Sequence, residues 1–179
     1  MRVFVALLAF LCAAGCSTEP PIAGPIEPEP LQTGFPLEPS DDRPNRSESE
    51  LFERLADALK KQPVTAAAVA RAFNLQSECA THGCHFGQTA IGGMVARKGE
   101  MRFDRNGLIF ELDDISGKCV RASVMARHFE GGGVEQSCLD AQCWYYKARQ
   151  SWGTLSFELP EPRGGCVKSV MIDTYRQSN

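Results

Sequence analysis

The chain has 179 residues, 43% of them hydrophobic and 23% charged, with a formal net charge of -3 at pH 7. That length accommodates one domain around a single core, and past residue 46 the acidic and basic side chains balance, which leaves no electrostatic footprint for nucleic acid. No apolar run reaches the roughly 20 residues that a membrane-spanning helix needs.

The N-terminus carries one positive charge at Arg2, an apolar stretch from Val3 to Leu11, and then Ala13-Ala14-Gly15-Cys16. This order resembles a bacterial lipoprotein signal over residues 1–17, with Ala13 standing where Leu is usual. The resemblance implies a signal peptide at 1–15, cleavage before Cys16 and fatty acylation (palmitate) of Cys16, and Ser17 behind it implies sorting to the outer membrane. Cysteine parity points the same way. Of 8 cysteines, Cys12 falls in the removed segment and Cys16 is acylated, which leaves an even set for an oxidising compartment. The expected location is the periplasmic face of the outer membrane, held by lipid.

Residues 16–46 form the expected tether. Most of the chain's 11 prolines crowd here (Pro20, Pro21, Pro25, Pro28, Pro30, Pro36, Pro39 and Pro44), accompanied by Glu19, Glu27, Glu29, Glu38, Asp41 and Asp42. Such a stretch buries too little apolar surface to offset the entropy of folding. At about 3.1 Å per residue it reaches roughly 90 Å when extended.

The folded domain is expected over 47–179. Ser47-Glu48-Ser49-Glu50 reads as a capping box, with Ser47 as N-cap and Glu50 reaching back. Leu51, Phe52, Leu55 and Leu59 follow at helical spacing until Gln62-Pro63. Thr65 is a second N-cap, opening an Ala-rich helix over 66–73 with Val69 and Phe73 on one side and Asn74 as its stop. The apolar faces of both helices are expected to cover a sheet.

Beyond residue 78 a repeat emerges. Leu108-Ile109-Phe110-Glu111-Leu112 returns 47 positions later as Leu155-Ser156-Phe157-Glu158-Leu159, and at the same shift Gly117 meets Gly164, Cys119 meets Cys166 and Val120 meets Val167. A C-x4-C pair precedes each copy, at Cys79/Cys84 and Cys138/Cys143. The repeats span about 79–130 and 138–179, joined through Gly131-Gly132-Gly133. Each copy is read as strands around a turn (113–118 and 160–165), with a hairpin turn at Lys98-Gly99-Glu100. The alternation of Val120, Ala122, Val124 and Ala126 predicts a strand, and a one-residue phase slip in 167–172 fits a bulge. The expected fold is α+β: two N-terminal helices packed on a twisted antiparallel sheet of about five or six strands, built from two duplicated β units and stapled by disulfides.

Three cysteines per repeat require one bridge between repeats. The symmetric pairing is Cys79–Cys84, Cys138–Cys143 and Cys119–Cys166, one of fifteen possible sets. The string Cys79-Ala80-Thr81-His82-Gly83-Cys84-His85 resembles a variant of the c-type haem attachment motif, and its histidines would suit a metal. The second copy, Cys138 to Trp144, has no histidine, so bridges are expected and no cofactor or metal.

Only His82, His85 and His128 are available for imidazole chemistry, and no G-x-S-x-G, H-E-x-x-H or phosphate-cradling loop occurs. Glu111 and Glu158 occupy equivalent repeat positions and read as outward-facing strand residues. The chain is therefore expected not to be an enzyme. The reading is a membrane-tethered periplasmic binding protein, an inhibitor or immunity-type protein that blocks an envelope-acting hydrolase; the alternative is a structural lipoprotein of an outer-membrane or cell-envelope assembly machine. The partner surface is expected at Trp144, Tyr145, Tyr146 and Trp152, with Trp144 and Tyr146 on one side of a strand and Tyr145 on the other. His85 and Phe86 are the corresponding first-copy residues.

Overall fold

A computed structural model describes residues 43–75, 82–137 and 143–175. The first helix, α1 (Arg46–Leu59), is capped by Asn45, two residues ahead of the Ser47 expected from sequence. The Asn45 side chain accepts from the backbone N–H of Ser47 (2.9 Å) and Glu48 (3.1 Å), and Glu48 reaches back to the Asn45 N–H (2.6 Å). The register moves because Ser47 has another partner: its hydroxyl accepts from the Gly93 N–H at 2.8 Å. The second helix, α2 (Ala66–Ala72), starts at Thr65 as expected, with the Thr65 hydroxyl accepting from the Ala68 N–H, and Asn74 leaves it in the left-handed region at φ 52°.

Eight strands follow among the described residues, where five or six were expected: β1 (Gly83–Phe86), β2 (Thr89–Ile91), β3 (Met94–Phe103), β4 (Leu108–Gly117), β5 (Gly132–Gln136), β6 (Trp144–Gln150), β7 (Gly153–Leu159) and β8 (Ser169–Asp173). All pairings are antiparallel, in the order β1-β3-β4-β8-β7-β6-β5, with β2 added on β3. The class is α+β, with three helices and one sheet among the described residues. No helix of the described residues is long and apolar enough to cross a membrane.

The register writes the core directly. Met101, Phe110, Ile172, Leu155 and Ala148 are paired strand to strand, and so are Leu112, Val170, Phe157, Tyr146 and Val134 in the next inward row. All of these are buried, together with Leu51 and Leu55 of α1, Val69 of α2 and Phe73 at its end. Phe110 lies tilted against Phe73 (4.7 Å between ring centroids) and stacks with Phe86 (5.7 Å), while Phe157 lies near Phe129 (6.0 Å) and Tyr146 (6.3 Å). Each aromatic group adds dispersion contact to the apolar area removed from water.

Three local expectations give way to tertiary context. The segment expected as a strand over 120–126 enters α3 (Ala122–His128). β4 already has β3 on one edge and β8 on the other, so no edge is free for it. The segment pairs only at its start, through the Arg121–Cys166 bridge and the Val167 N–H to Val120 carbonyl bond (2.8 Å), and then joins the helical layer, where His128 stacks on Phe52 of α1 at 4.0 Å. Lys98-Gly99-Glu100 is no turn but the middle of β3. Gly99 is there because the Phe86 ring of the neighbouring strand lies over it, where any Cβ would collide. The expected turn at 113–118 is instead the end of β4, while 160–165 does turn, closed by the Glu161–Gly164 bridge. Of the three glycines at 131–133, Gly132 and Gly133 open β5.

Cys119 and Cys166 are joined, as their common place in the repeat anticipates. Closing a loop of that length removes chain entropy from the unfolded state worth about 4 kcal/mol. Cys84 and Cys143 are disulfide-bonded as well. Cys79 and Cys138, their expected partners, lie outside the described residues, as do Cys12, Cys16 and the rest of residues 1–42, where most of the expected tether falls.

Candidate functional site

One face of the sheet packs on the helices; the other looks outward. Register places His85, Glu100, Glu111, Met171, Ser156 and Lys147 in one row across six strands of that outer face. A second row, two residues along each strand, runs through Ser169, Glu158, Tyr145 and Glu135, with Asp113 on β4 beside it. Side chains alternate across a strand, so all of these share one side.

The electrostatics of this face are uneven. At its β5–β6 edge Glu135 is neutralised twice, by Arg149 and by Lys147 (3.6 Å), and its carboxyl is held below the ordinary range by the Arg149 hydrogen bonds first of all. At the other side Arg102 pairs with Glu100 at 3.1 Å. Between them, Glu111 stands directly opposite Glu100, with Asp113 and Glu158 near, and no ion pair reaches it among the described residues. Like charges facing each other across strands destabilise a sheet. Burial and then the charges of Asp113 and Glu100 push the Glu111 carboxyl above its usual value, against the opposing pull of Arg102. Glu158 accepts from the Ser169 hydroxyl at 3.1 Å, and that serine is only 1% exposed. Tyr145 sits opposite Glu158 with the Lys147 ammonium 5.8 Å from its ring; burial and the nearby carboxylates raise its phenol.

Tyr145 and Tyr146 fall on opposite faces of β6, as alternation along a strand anticipates, so the residues expected at the partner surface do not all share one face. Tyr146 points inward, is 5% exposed, and donates from its hydroxyl to the Phe129 carbonyl at 2.8 Å. Tyr145 lies on the outer face. Trp144 begins β6 and Trp152 lies just past its end, both partly buried against the core. His85 takes the outer row and Phe86 the inner side, over Gly99. Glu100, Asp113, Ser156, Ser169 and Met171 were not singled out by sequence, because only the cross-strand register assembles them. Glu111 and Glu158 were legible as outward-facing positions.

This arrangement can accept a cation: carboxylates surround a half-buried one, a tyrosine ring flanks them, and the backbone beneath is a rigid sheet. No group of three or more His, Cys, Asp or Glu side chains is placed to hold a metal ion among the described residues. No family model matches the chain, and no curated protein or solved structure matches it either.

Proposed function

We propose that this chain is a lipid-anchored envelope protein that binds, and thereby blocks, a secreted hydrolase of basic surface, using the outer face of its sheet and catalysing nothing itself. The observation that carries the reading is the place of Glu111, half-buried, directly opposite Glu100 across the β3–β4 pair and reached by no ion pair among the described residues. A lysine or arginine of the partner relieves that repulsion, which converts a liability of the free protein into binding specificity. A crosslinked sheet adds little ordering entropy on association. The signal-like N-terminus and its Pro-rich tether fit a domain that searches the periplasm from the outer membrane through Cys16, and the repeat fits a sheet descended from two related β units.

The full-length protein in detergent is titrated with purified cationic cell-wall hydrolases while substrate cleavage is followed. Inhibition that weakens with added salt, and at least tenfold in the paired Glu111→Gln/Glu158→Gln variant, supports the reading. Binding indifferent to both changes refutes it. Association with outer-membrane assembly components without inhibition favours the structural alternative. Labelled palmitate incorporation that disappears in Cys16→Ser checks the anchor separately.

A further inference from the structure

The cationic side chains of the described domain differ in how they are committed. Along α1 and on the outer sheet face several are paired: Arg54 with Glu50, Arg102 with Glu100, and Lys147 and Arg149 with Glu135. At the end of the sheet where α1 begins they are not. Arg43, Arg46, Lys118, Arg163 and Lys168 are all exposed there, and none of them takes part in an ion pair among the described residues.

Backbone contacts gather these residues around the segment 118–122. The Lys118 N–H donates to the Gly93 carbonyl at 2.9 Å, and the Lys118 side chain lies over Gly93, where a Cβ would come within 2.7 Å of its Cγ. Gly93 in turn donates its N–H to the hydroxyl of Ser47, the residue after Arg46, at 2.8 Å. The Arg43 carbonyl accepts from Arg121 at 2.8 Å. The turn that carries Arg163 is tied to the same segment by the Ala122 N–H on the Gly165 carbonyl (3.1 Å) and by the Cys119–Cys166 bridge. Lys168 follows Val167, whose N–H donates to the Val120 carbonyl at 2.8 Å. Arg121 itself is neutralised by Glu48, and Asp114 is taken by Arg97 at 3.9 Å. Glu161 shares the turn with Arg163, so the described surface keeps a local excess of positive charge.

The position of this charge is informative. Arg43 stands just ahead of α1, so the stretch of chain that leads back to Cys16 joins the domain at the cationic end. A lysine or arginine close to an anionic bilayer is attracted to it over about a Debye length, and several such groups add. Attachment of the same chain to that bilayer keeps the local concentration of headgroups high, so contacts that are weak one by one suffice.

We propose that this cationic end of the domain docks on the anionic phospholipid headgroups of the membrane that holds Cys16. The inference rests on the anchored reading of Cys16 and not on the hydrolase. In that pose the strands lead away from the bilayer, and the outer face of the sheet stays open to a partner. The test adds the full-length protein to preformed vesicles of phosphatidylcholine, with and without phosphatidylglycerol, and follows methylation of each lysine by formaldehyde, an uncharged reagent, with cyanoborohydride. Lys118 and Lys168 react several-fold more slowly on the vesicles that contain phosphatidylglycerol, and high salt abolishes the difference. Lys60 and Lys61, past the far end of α1 and about 20 Å away at ~1.5 Å per residue, react alike on both. The protection of Lys118 is lost in Arg163→Gln/Lys168→Gln and kept in Lys60→Gln/Lys61→Gln, an equal change of charge at the other end. Equal rates on the two vesicles, protection that extends to Lys60 and Lys61, or protection of Lys118 retained in Arg163→Gln/Lys168→Gln overturns the proposal. Flotation with pure phosphatidylcholine vesicles reports the anchor alone: flotation with equal lysine rates overturns docking and leaves the anchor standing, and flotation with neither vesicle overturns both.

Discussion

Arg121 closes on Glu48 from both backbone and side chain. Its N–H and Nε donate to Oε1 at 2.8 and 2.7 Å, and its Nη2 donates to Oε2 at 2.8 Å. Glu48 is 0% exposed, so its desolvation is large; alone, burial would raise its carboxyl, but the bonds from Arg121 and Asn45 hold it below the ordinary value. Removing one member strands the other. Glu48→Gln or Arg121→Ala is expected to destabilise the domain by about 3–5 kcal/mol in chemical denaturation. A carboxyl lowered in the folded state contributes stability that is complete above the unfolded carboxylate range and lost as pH falls through the folded value. The stability of Glu48→Gln should accordingly vary less with acidification than that of the wild type.

The Cys119–Cys166 bridge predicts a loss through the unfolded chain. Replacing both cysteines by serine should lower stability by about 2–4 kcal/mol while leaving the circular dichroism of the sheet in place. A midpoint unchanged in the double variant would mean that the 47-residue separation carries no entropic benefit here.

Adjacent tyrosines should behave as opposites. Tyr146→Phe removes the bond to the Phe129 carbonyl and should cost about 1 kcal/mol of folding stability, with no effect on partner binding. Tyr145→Ala should leave the melting temperature nearly unchanged and weaken hydrolase capture by about 2 kcal/mol.

Glu111 predicts a pH dependence of the reverse sign to Glu48. A carboxyl raised in the folded state makes folding less favourable as pH climbs from the unfolded carboxylate range through the folded value. Glu111→Gln should therefore raise the melting temperature at neutral pH, and the advantage should vanish in acid. The same substitution should weaken binding of a cationic partner, so stability and affinity move apart.

Sequence spoke clearly where the physics is local. Thr65 caps α2 because its hydroxyl needs nothing beyond the next turn, and Cys119 with Cys166 follows from an internal correspondence of positions. It misled where a distant strand decides. Val120 to Ala126 alternates well enough for a strand, yet β8 holds the edge it would need, and burial of Ala122, Val124 and Met125 is met equally by a helix. Gly99 looks like a turn until Phe86 is laid across it. Glu100 and Glu111 are eleven positions apart and become neighbours only through pairing of β3 with β4, so their repulsion had no signal along the chain.

The contacts around Arg121 also define a mechanical path. Its Nη2 donates to the Arg43 carbonyl at 2.8 Å, and the Asn45 amide donates to the Cys119 carbonyl at the same distance. A pull on the segment ahead of Arg43 meets these bonds before it meets α1, and passes through Cys119 into a covalent crosslink with Cys166. Force arriving at Arg43 is spread into the sheet through a sulfur bridge instead of unzipping the first helix turn by turn.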